Sequence, residues 1–293
     1  MRSIKRIYEN QYKKLLIIPF LILLLAIIQI SVQYSTTGDF VHKGISLKGG
    51  STITFDYNPS LDISAIEQSL EQQFPTLDVT MRTLSSGNTI TSVAVDSGAQ
   101  ETADIDALTT AIEKEAGIKS GDYSVEVVGS ALGDSFFRQL VLSLIVAFLL
   151  MGTVVFFYFR AIAPSMAVIL AAFSDIVVTL AVFNLTGMKL GSAGIAAFLM
   201  LIGYSVDTDI LLSTRVLKRR DESVMQRVYS AMKTGATMTS TTLVAVLIAF
   251  FFVQSDIVKQ IMLILFIGLV VDIIMTWIQN VGILRIYLER KQK

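Results

Sequence analysis

Long apolar stretches recur along this chain, and six of them are long enough to cross a membrane as helices. A transmembrane helix needs about 20 apolar residues to span roughly 30 Å of hydrocarbon. The first stretch follows basic residues, but its apolar run is longer than that of a signal peptide and has no small-residue cleavage site. We therefore predict six transmembrane helices, with the first one retained. They cover residues 14–33, 137–158, 164–186, 190–213, 233–253 and 257–284.

The segment between the first two stretches, residues 34–136, has a different pattern. Strand-like alternation and helix-like spacing follow one another in the order βαββαβ. This order predicts a ferredoxin-like α+β domain inserted between helices 1 and 2 of an α-helical membrane protein. Such a domain can equally function as a scaffold or as a surface that binds a partner. The strands are predicted at 51–57, 77–84, 88–95 and 123–128, and the helices at 61–74 and 101–116.

Basic residues outside the apolar stretches predict the orientation in the membrane. Lys and Arg concentrate in residues 1–13, at Arg160, in the loop 215–227 and in the tail 285–293. Even numbers of predicted helices separate these positions, so all of them can lie on the same side. Because short cytoplasmic loops collect Lys and Arg, both termini are predicted to be cytoplasmic. The acidic segment 34–136 then lies outside.

Composition supports a membrane protein and excludes several functions. Of the 293 residues, 53% are hydrophobic and 16% are charged, and the mean hydropathy is +0.64. The formal net charge is zero, which gives no support to nucleic-acid binding. The chain has no cysteine and a single histidine, His42, so thiol catalysis and Cys or His metal centres are excluded. No nucleotide-binding glycine loop occurs, and we predict no cofactor, no metal and no enzymatic activity.

Four carboxylates lie inside the predicted membrane helices: Asp175, Asp207, Asp209 and Asp272. A carboxylate in hydrocarbon costs a few kcal/mol, so such residues usually face the interior of a helix bundle and mark an ion path. A rise of 1.5 Å per residue puts Asp207 about 12 Å from the boundary residue Arg215. The four residues are therefore predicted to form a proton relay.

Asp207 and Asp209 are about 200° apart around their helix, so they cannot face the same neighbour. Gly203 lies on the side of Asp207, where its small size would let another helix approach. We therefore predict Asp207 as the main proton-binding group. Asp209 is predicted closer to the cytoplasm, where water or Arg215 would neutralise it. For Asp175 and Asp272, a relay role and structural hydrogen bonding between helices both remain open.

Hydroxyl groups are concentrated in the fifth apolar stretch. Thr234, Thr237 and Thr241 have the i, i+3, i+7 spacing of a single helix face. Together with Ser205 and Tyr204, they are predicted to support a hydrated polar core beside the acids. The alternative is that each hydroxyl bonds back to its own helix.

Several motifs make the chain resemble the SecD/SecF protein-export family, relatives of the resistance-nodulation-division transporters. The Gly-Tyr-Ser sequence favours the SecF branch of this family. Bacterial members carry His-Asp and Asn-Asp pairs where this chain has Ser174-Asp175 and Asp207-Thr208, a difference similar to the archaeal branch. The resemblance covers nearly the whole chain and is carried by residues 44–50 (GISLKGG), 128–133 (VGSALG), 174–175 (SD) and 203–210 (GYSVDTDI) followed by Arg215.

The resemblance implies an accessory subunit of the Sec translocase in the cell membrane. Such a subunit pairs with SecD and the Sec channel, contacts the translocating preprotein and is embedded in lipid. A proton gradient would drive motions of the outer domain. The resemblance implies a proton-binding role for Asp207 and Asp175. For Asp209 and Asp272, that role is predicted from the physical argument alone.

Two other functions are compatible with intramembrane acids. A proton-coupled exporter of small molecules or lipids would share the topology, but it usually needs two six-helix halves and a larger outer region. An intramembrane aspartyl protease would use two aspartates as an acid and base pair. Its Tyr-Asp and Gly-x-Gly-Asp patterns are absent, since Gly203-Tyr-Ser-Val-Asp207 lacks the second glycine.

Overall fold

The computed structural model describes residues 8–86, 89–218 and 223–291. Parts of the basic segments used for orientation lie outside these ranges, namely residues 1–7, 219–222 and 292–293. Gly87, just before the predicted strand 88–95, and Asn88, its first residue, also lie outside the described ranges.

Six helices in the described part of the chain are long and apolar enough to cross a membrane, as predicted. Several extend well beyond the hydrophobic stretch that identified them: the second begins seven residues before the predicted 137. The first span contains α1 (Tyr12–Leu15) and α2 (Ile17–Thr37), and the last contains α10 (Asp256–Ile274), a π-helix (Met275–Asn280) and α11 (Val281–Lys291). The four others are α6 (Ser130–Phe159), α7 (Ile162–Leu185), α8 (Ser192–Lys218) and α9 (Val224–Phe252).

Three of the six spans form the interior of the bundle. In the most apolar 18-residue stretch of α7 and in that of α8, 56% of the residues are buried, and in that of the last span 50% are buried. The corresponding shares in the other three spans lie between 11% and 22%. Small residues such as Ala167, Ala171 and Ala172 are buried on α7, which lets neighbouring helices approach closely. Polar groups on α7, α8 and α10 are therefore the ones that can meet inside the protein.

The outer domain has the predicted βαββαβ order. A short helix α3 (Ile45–Lys48) precedes it, and its four strands form an antiparallel sheet in the order β2-β3-β1-β4. Buried side chains of the sheet, including Ile53 and Phe55, pack against Leu70, Leu108 and Ile112 of the two helices. The elements are β1 (Gly50–Asp56), α4 (Ile63–Gln73), β2 (Thr80–Ser86), β3 (Thr89–Ser97), α5 (Thr102–Ala116) and β4 (Tyr123–Val128).

Glycines hold the outer domain close to the start of α6. Gly49 and Gly50 have φ angles of 88° and 144°, a region that favours glycine. A Cβ on Gly49 would lie 2.6 Å from the Cα of Ser130, and a Cβ on Gly133 would lie 2.6 Å from the backbone nitrogen of Gly49. The segments 44–50 and 128–133 therefore contact each other backbone to backbone, where the chain enters and leaves the domain.

Candidate functional site: a carboxyl cluster inside the helix bundle

Three of the four intramembrane carboxylates meet in the interior of the bundle. Asp175 on α7, Asp209 on α8 and Asp272 on α10 are each 0% exposed. The side chains of Asp175 and Asp272 are neighbours in this interior. We call these three residues the carboxyl cluster.

Hydroxyl and amide groups from two helices contact the carboxyl cluster. The Ser205 hydroxyl, one turn before Asp209 on α8, donates to Oδ2 of Asp175. The Asn280 side-chain amide donates to Oδ1 of Asp209 at 2.7 Å. Ser205, predicted as a supporting residue, therefore reaches an acid, although that acid belongs to a different helix.

The Thr276 hydroxyl links two members of the cluster. Its oxygen lies 3.0 Å from Oδ1 of Asp209 and 2.9 Å from Oδ1 of Asp272. A hydroxyl has one hydrogen to donate, so it can donate to only one of these oxygens. The other short contact becomes a hydrogen bond only if that carboxyl is protonated and donates to the threonine oxygen. The geometry therefore favours at least one proton on the pair.

Hydrogen-bond acceptors outnumber donors around the cluster. Among the cluster and the neighbouring amides, five buried oxygens lack a donor within the described residues: Oδ1 of Asp175, Oδ2 of Asp209, Oδ2 of Asp272, Oε1 of Gln279 and Oδ1 of Asn280. Two buried hydroxyls one turn away, on Thr179 and Ser213, also have no partner there, so even these two donors would not satisfy all five oxygens. No ion pair identified in the described ranges involves a carboxylate of the cluster. Unpaired carboxylates in a low-dielectric interior are costly, and protons relieve that cost by removing charge and supplying donors.

A π-helix supplies three of the polar groups beside the cluster. Thr276, Gln279 and Asn280 lie within Met275–Asn280 and are each 0% exposed. A single π turn inside an α-helix is rare and often marks a functional site. Sequence reasoning missed these residues, although a signal was present. They follow Asp272 at i+4, i+7 and i+8, so they form a polar stripe on one face of an otherwise apolar span.

Asp207 lies on the outer surface of the bundle, and the prediction that it faces the interior was wrong. As expected, Asp207 and Asp209 face in different directions, but Asp209 is the buried one. Asp207, Gly203 and Tyr204 form an exposed patch on α8, and a Cβ on Gly203 would meet nothing within 4 Å. The 3.6-residue period separated the two faces of α8 but did not indicate which one packs inward.

The other predicted supporting groups do not reach the carboxyl cluster. Thr237 donates to the carbonyl of Lys233 at 2.9 Å, and Thr241 donates within its own helix to the carbonyls of Thr237 and Met238. The prediction that Thr237 and Thr241 line a hydrated core is therefore corrected, since both are exposed and bond back to their helix.

Arg215 does not neutralise Asp209. Its Nη1 donates instead to the carbonyl and hydroxyl of Ser230, at 2.6 and 2.9 Å, where it ties the C-terminal end of α8 to the N-terminal part of α9. Asp209 is held by Thr276 and Asn280. The physical reason for the difference is the facing of α8, which turns Asp209 toward the last span.

Comparison with known proteins places this architecture in a family. Residues 108–290 match the family described as protein export membrane protein SecD/SecF, C-terminal. The chain is 37% identical over 292 residues to the protein-export membrane protein SecF of Pyrococcus furiosus, covering 99% of this chain and 96% of the relative. The chain belongs to the SecF family of protein-export membrane proteins. A SecF of Methanocaldococcus jannaschii is 38% identical over 287 residues, covering 95% and 96% of the two chains.

Solved structures have the same fold at lower sequence identity. The crystal structure of SecDF from Thermus thermophilus, a translocon-associated membrane protein, superposes with a TM-score of 0.69 at 20% identity. A structure of SecDF in a super-membrane-facing form gives a TM-score of 0.65, also at 20% identity. This SecF-family chain aligns over 97% and 94% of its own length but spans only 39% and 38% of those SecDF chains.

The motifs that carried the resemblance fall into two places in the structure. The segments 44–50 and 128–133 meet at the junction of the outer domain with the bundle. Ser174-Asp175 meets Ser205 and Asp209 of the 203–210 segment at the carboxyl cluster, where the Gln279 amide also donates to Ser174 Oγ at 3.2 Å. Residues far apart in the SecF-family sequence thus form two compact sites.

Proposed function

We propose that this chain is an accessory subunit of the Sec translocase that acts with SecD and the Sec channel during the export or insertion of preproteins. The SecF relatives named above, which match almost end to end, support this role. In this proposal both termini are cytoplasmic, the outer domain lies on the far side of the cell membrane, and the chain has no catalytic activity. Family membership is what favours a translocase over the exporter and the protease.

The carboxyl cluster is the proton site of this subunit. The observation that carries the proposal is the surplus of buried acceptor oxygens around Asp175, Asp209 and Asp272. Uptake of a proton removes a charge and adds a donor, so it changes which contacts join α7, α8 and α10. A ligand biases a two-state element by such differential contacts. The outer domain is the element that responds.

Asp207 lies at the contact with the partner subunit. An uncovered carboxylate at this depth costs about 2.5–3.5 kcal/mol when it faces lipid. Gly203 beside it is open to a neighbouring helix, and Tyr204, 39% exposed, offers a further polar group. A SecD helix that presents a donor or a cation to Asp207 would remove this cost and connect the relay across the two subunits.

The cluster is tested in inverted membrane vesicles that contain this chain, its SecD partner and the Sec channel. The measurement is the fraction of a tagged preprotein that becomes protected from protease, with and without a lumen-acid proton gradient. We expect the gradient to increase export with the native chain. Asp272→Asn should keep the basal export and lose the increase, because an amide cannot exchange a proton with its neighbours.

Asp106→Asn is the matched control, because it removes a carboxylate exposed on the outer domain. It should respond to the gradient like the native chain. An unchanged response in Asp272→Asn would refute the proton role of the cluster. A response to a sodium gradient instead of a proton gradient would assign the site to a different ion.

The surface role of Asp207 is tested separately by co-purification with SecD. Asp207→Leu should weaken the association, because the partner's donor or cation loses its acceptor. Asp207→Asn keeps an acceptor oxygen and should associate more strongly than the leucine variant. Equal recovery of SecD with the native chain and both variants would contradict this role.

A further inference from the structure

Away from its junction with α6, the outer domain touches the bundle through a small set of polar contacts on β2 and just before it. Asp256 is the first residue of α10, and its Oδ2 accepts hydrogen bonds from the backbone nitrogen and the hydroxyl of Thr83, at 2.7 and 3.0 Å. Thr83 lies on β2, an edge strand, so its outward amide has no partner within the sheet. The carboxylate therefore satisfies an edge amide of the outer domain.

A second contact reaches the same strand from the loop between α7 and α8. The Lys189 ammonium donates to the hydroxyl of Thr80 at 2.6 Å and to the carbonyl of Asp78 at 3.0 Å. It also lies 2.8 Å from the carboxylate of Asp78. Asp78 has a φ of 51°, an uncommon conformation for a residue other than glycine. In this backbone conformation, the carbonyl and the carboxylate of Asp78 both contact the Lys189 ammonium.

Gln260 joins the two contacts. Its amide nitrogen donates to the carbonyl of Lys189 at 2.6 Å, and its oxygen accepts from the backbone nitrogen of Gly191 at 3.1 Å. Gln260 lies one turn after Asp256 on α10. Helix α10 therefore contacts β2 directly through Asp256. Through Gln260 it also positions the loop from which Lys189 contacts β2. We call Asp256, Lys189 and Gln260 the clasp.

The clasp lies on the opposite edge of the sheet from the chain connections. The chain enters the domain at β1 and leaves it at β4, and these strands are neighbours at one side of the order β2-β3-β1-β4. The clasped strand β2 is the far edge. In the described residues the domain core and the main bundle core share no side chain. A polar contact without a shared core favours relative motion of two units.

The clasp is mechanically connected to the carboxyl cluster. Asp272 lies on the same continuous helix as Asp256, sixteen residues later, which corresponds to about 24 Å along the axis. A helix of this kind moves as a rod, so a change in the contacts of Asp272 shifts Asp256 and Gln260 together. We infer that the clasp is the switch that holds the outer domain closed on the bundle and releases it when the cluster changes protonation. This inference rests on the proposed function.

The natural chain has no cysteine, so the clasp can be tested by crosslinking pairs of introduced cysteines. The test pair is Ile90→Cys with Gln254→Cys, which line one cleft between β3 and the start of α10 and leave the clasp residues intact. The two thiols are joined by a short bifunctional thiol reagent in vesicles that contain SecD and the Sec channel. The control pair is Thr54→Cys with Ser124→Cys, which lie opposite each other on β1 and β4. The control crosslink stays inside the domain and should not depend on its position.

We expect an imposed proton gradient to lower the crosslinking yield of the test pair by about threefold or more, as a shift in the closed population requires. The control pair should give the same yield in both conditions. With Asp272→Asn added, the yield of the test pair should no longer depend on the gradient. Once crosslinked, the test pair should lose gradient-stimulated export, whereas the crosslinked control pair should keep it.

Two outcomes separate the clasp from the proposed function. If the native chain shows gradient-stimulated export but the yield of the test pair stays constant, the clasp is a static contact and the inference is overturned. If export never responds to a gradient, the proton-driven function fails. In that case the crosslinking yield of the test pair is compared, at constant pH, between the Asp272→Asn variant and the chain with the native Asp272. A change in the yield of the test pair supports the clasp alone, and no change overturns it.

Discussion

Asp209 allows the structural and ionic roles of the carboxyl cluster to be separated. Its Oδ1 accepts from Asn280 at 2.7 Å and lies 3.0 Å from the Thr276 hydroxyl, whereas Oδ2 has no partner within the described residues. Asp209→Asn keeps the accepting oxygen and the volume of the side chain. Asp209→Ala removes the acceptor, leaves the Asn280 amide without a partner and opens a void.

The two substitutions should differ clearly in stability. An unsatisfied buried donor costs about 1–3 kcal/mol, and the void adds a further cost, so we expect Asp209→Ala to lose roughly 2–4 kcal/mol of unfolding free energy. Asp209→Asn should change it by less than about 1 kcal/mol, because its amide oxygen still accepts from the Asn280 amide. Neither variant can bind and release a proton at this position. Both should therefore lose gradient-stimulated export.

The assay combines reversible denaturant unfolding in lipid–detergent micelles with the vesicle export measurement. Asp106→Ala and Asp106→Asn serve as matched controls, since that carboxylate is exposed on the outer domain. If Asp209→Asn is as unstable as Asp209→Ala, the carboxylate is needed for packing in a way the hydrogen bonds do not explain. If Asp209→Asn keeps the response to the gradient, Asp209 takes no part in proton coupling.

Three further changes test the packing around the site and the independence of the outer domain. Thr276→Val conserves volume but removes the hydroxyl that links two carboxyls, and it should cost about 1–3 kcal/mol in the same unfolding assay; an unchanged stability would refute the link. Gly268→Val would force a side chain against Leu201, since a Cβ there lies 2.4 Å from its Cδ1; we expect a loss of about 1–3 kcal/mol, partly restored by adding Leu201→Ala, and no restoration would argue against direct contact. Leu70→Ala in the buried core of the outer domain should cost about 2–5 kcal/mol and make that domain sensitive to protease while the spans stay protected; cleavage throughout the chain would show that the two parts unfold together.

The sequence by itself determined the architecture. Apolar runs longer than a bilayer is thick permit only spanning helices, because a backbone in hydrocarbon must satisfy its own hydrogen bonds. Alternation in the outer segment located all four strands to within a few residues, and Tyr123–Val128 was predicted with the observed bounds. Both signals are local, so no knowledge of neighbouring elements was needed to interpret them.

The tertiary structure decided which acids meet. The angular separation of Asp207 and Asp209 follows from helix geometry, but which of them is buried depends on how α8 packs against α7 and α10. Those contacts join residues 30 to 71 positions apart in the chain, and no periodicity within one helix encodes them. The polar contributions of Thr276 and Asn280 likewise depend on a π turn set by packing. The sequence thus determined that buried carboxylates exist, and only the packed bundle decided that they are Asp175, Asp209 and Asp272.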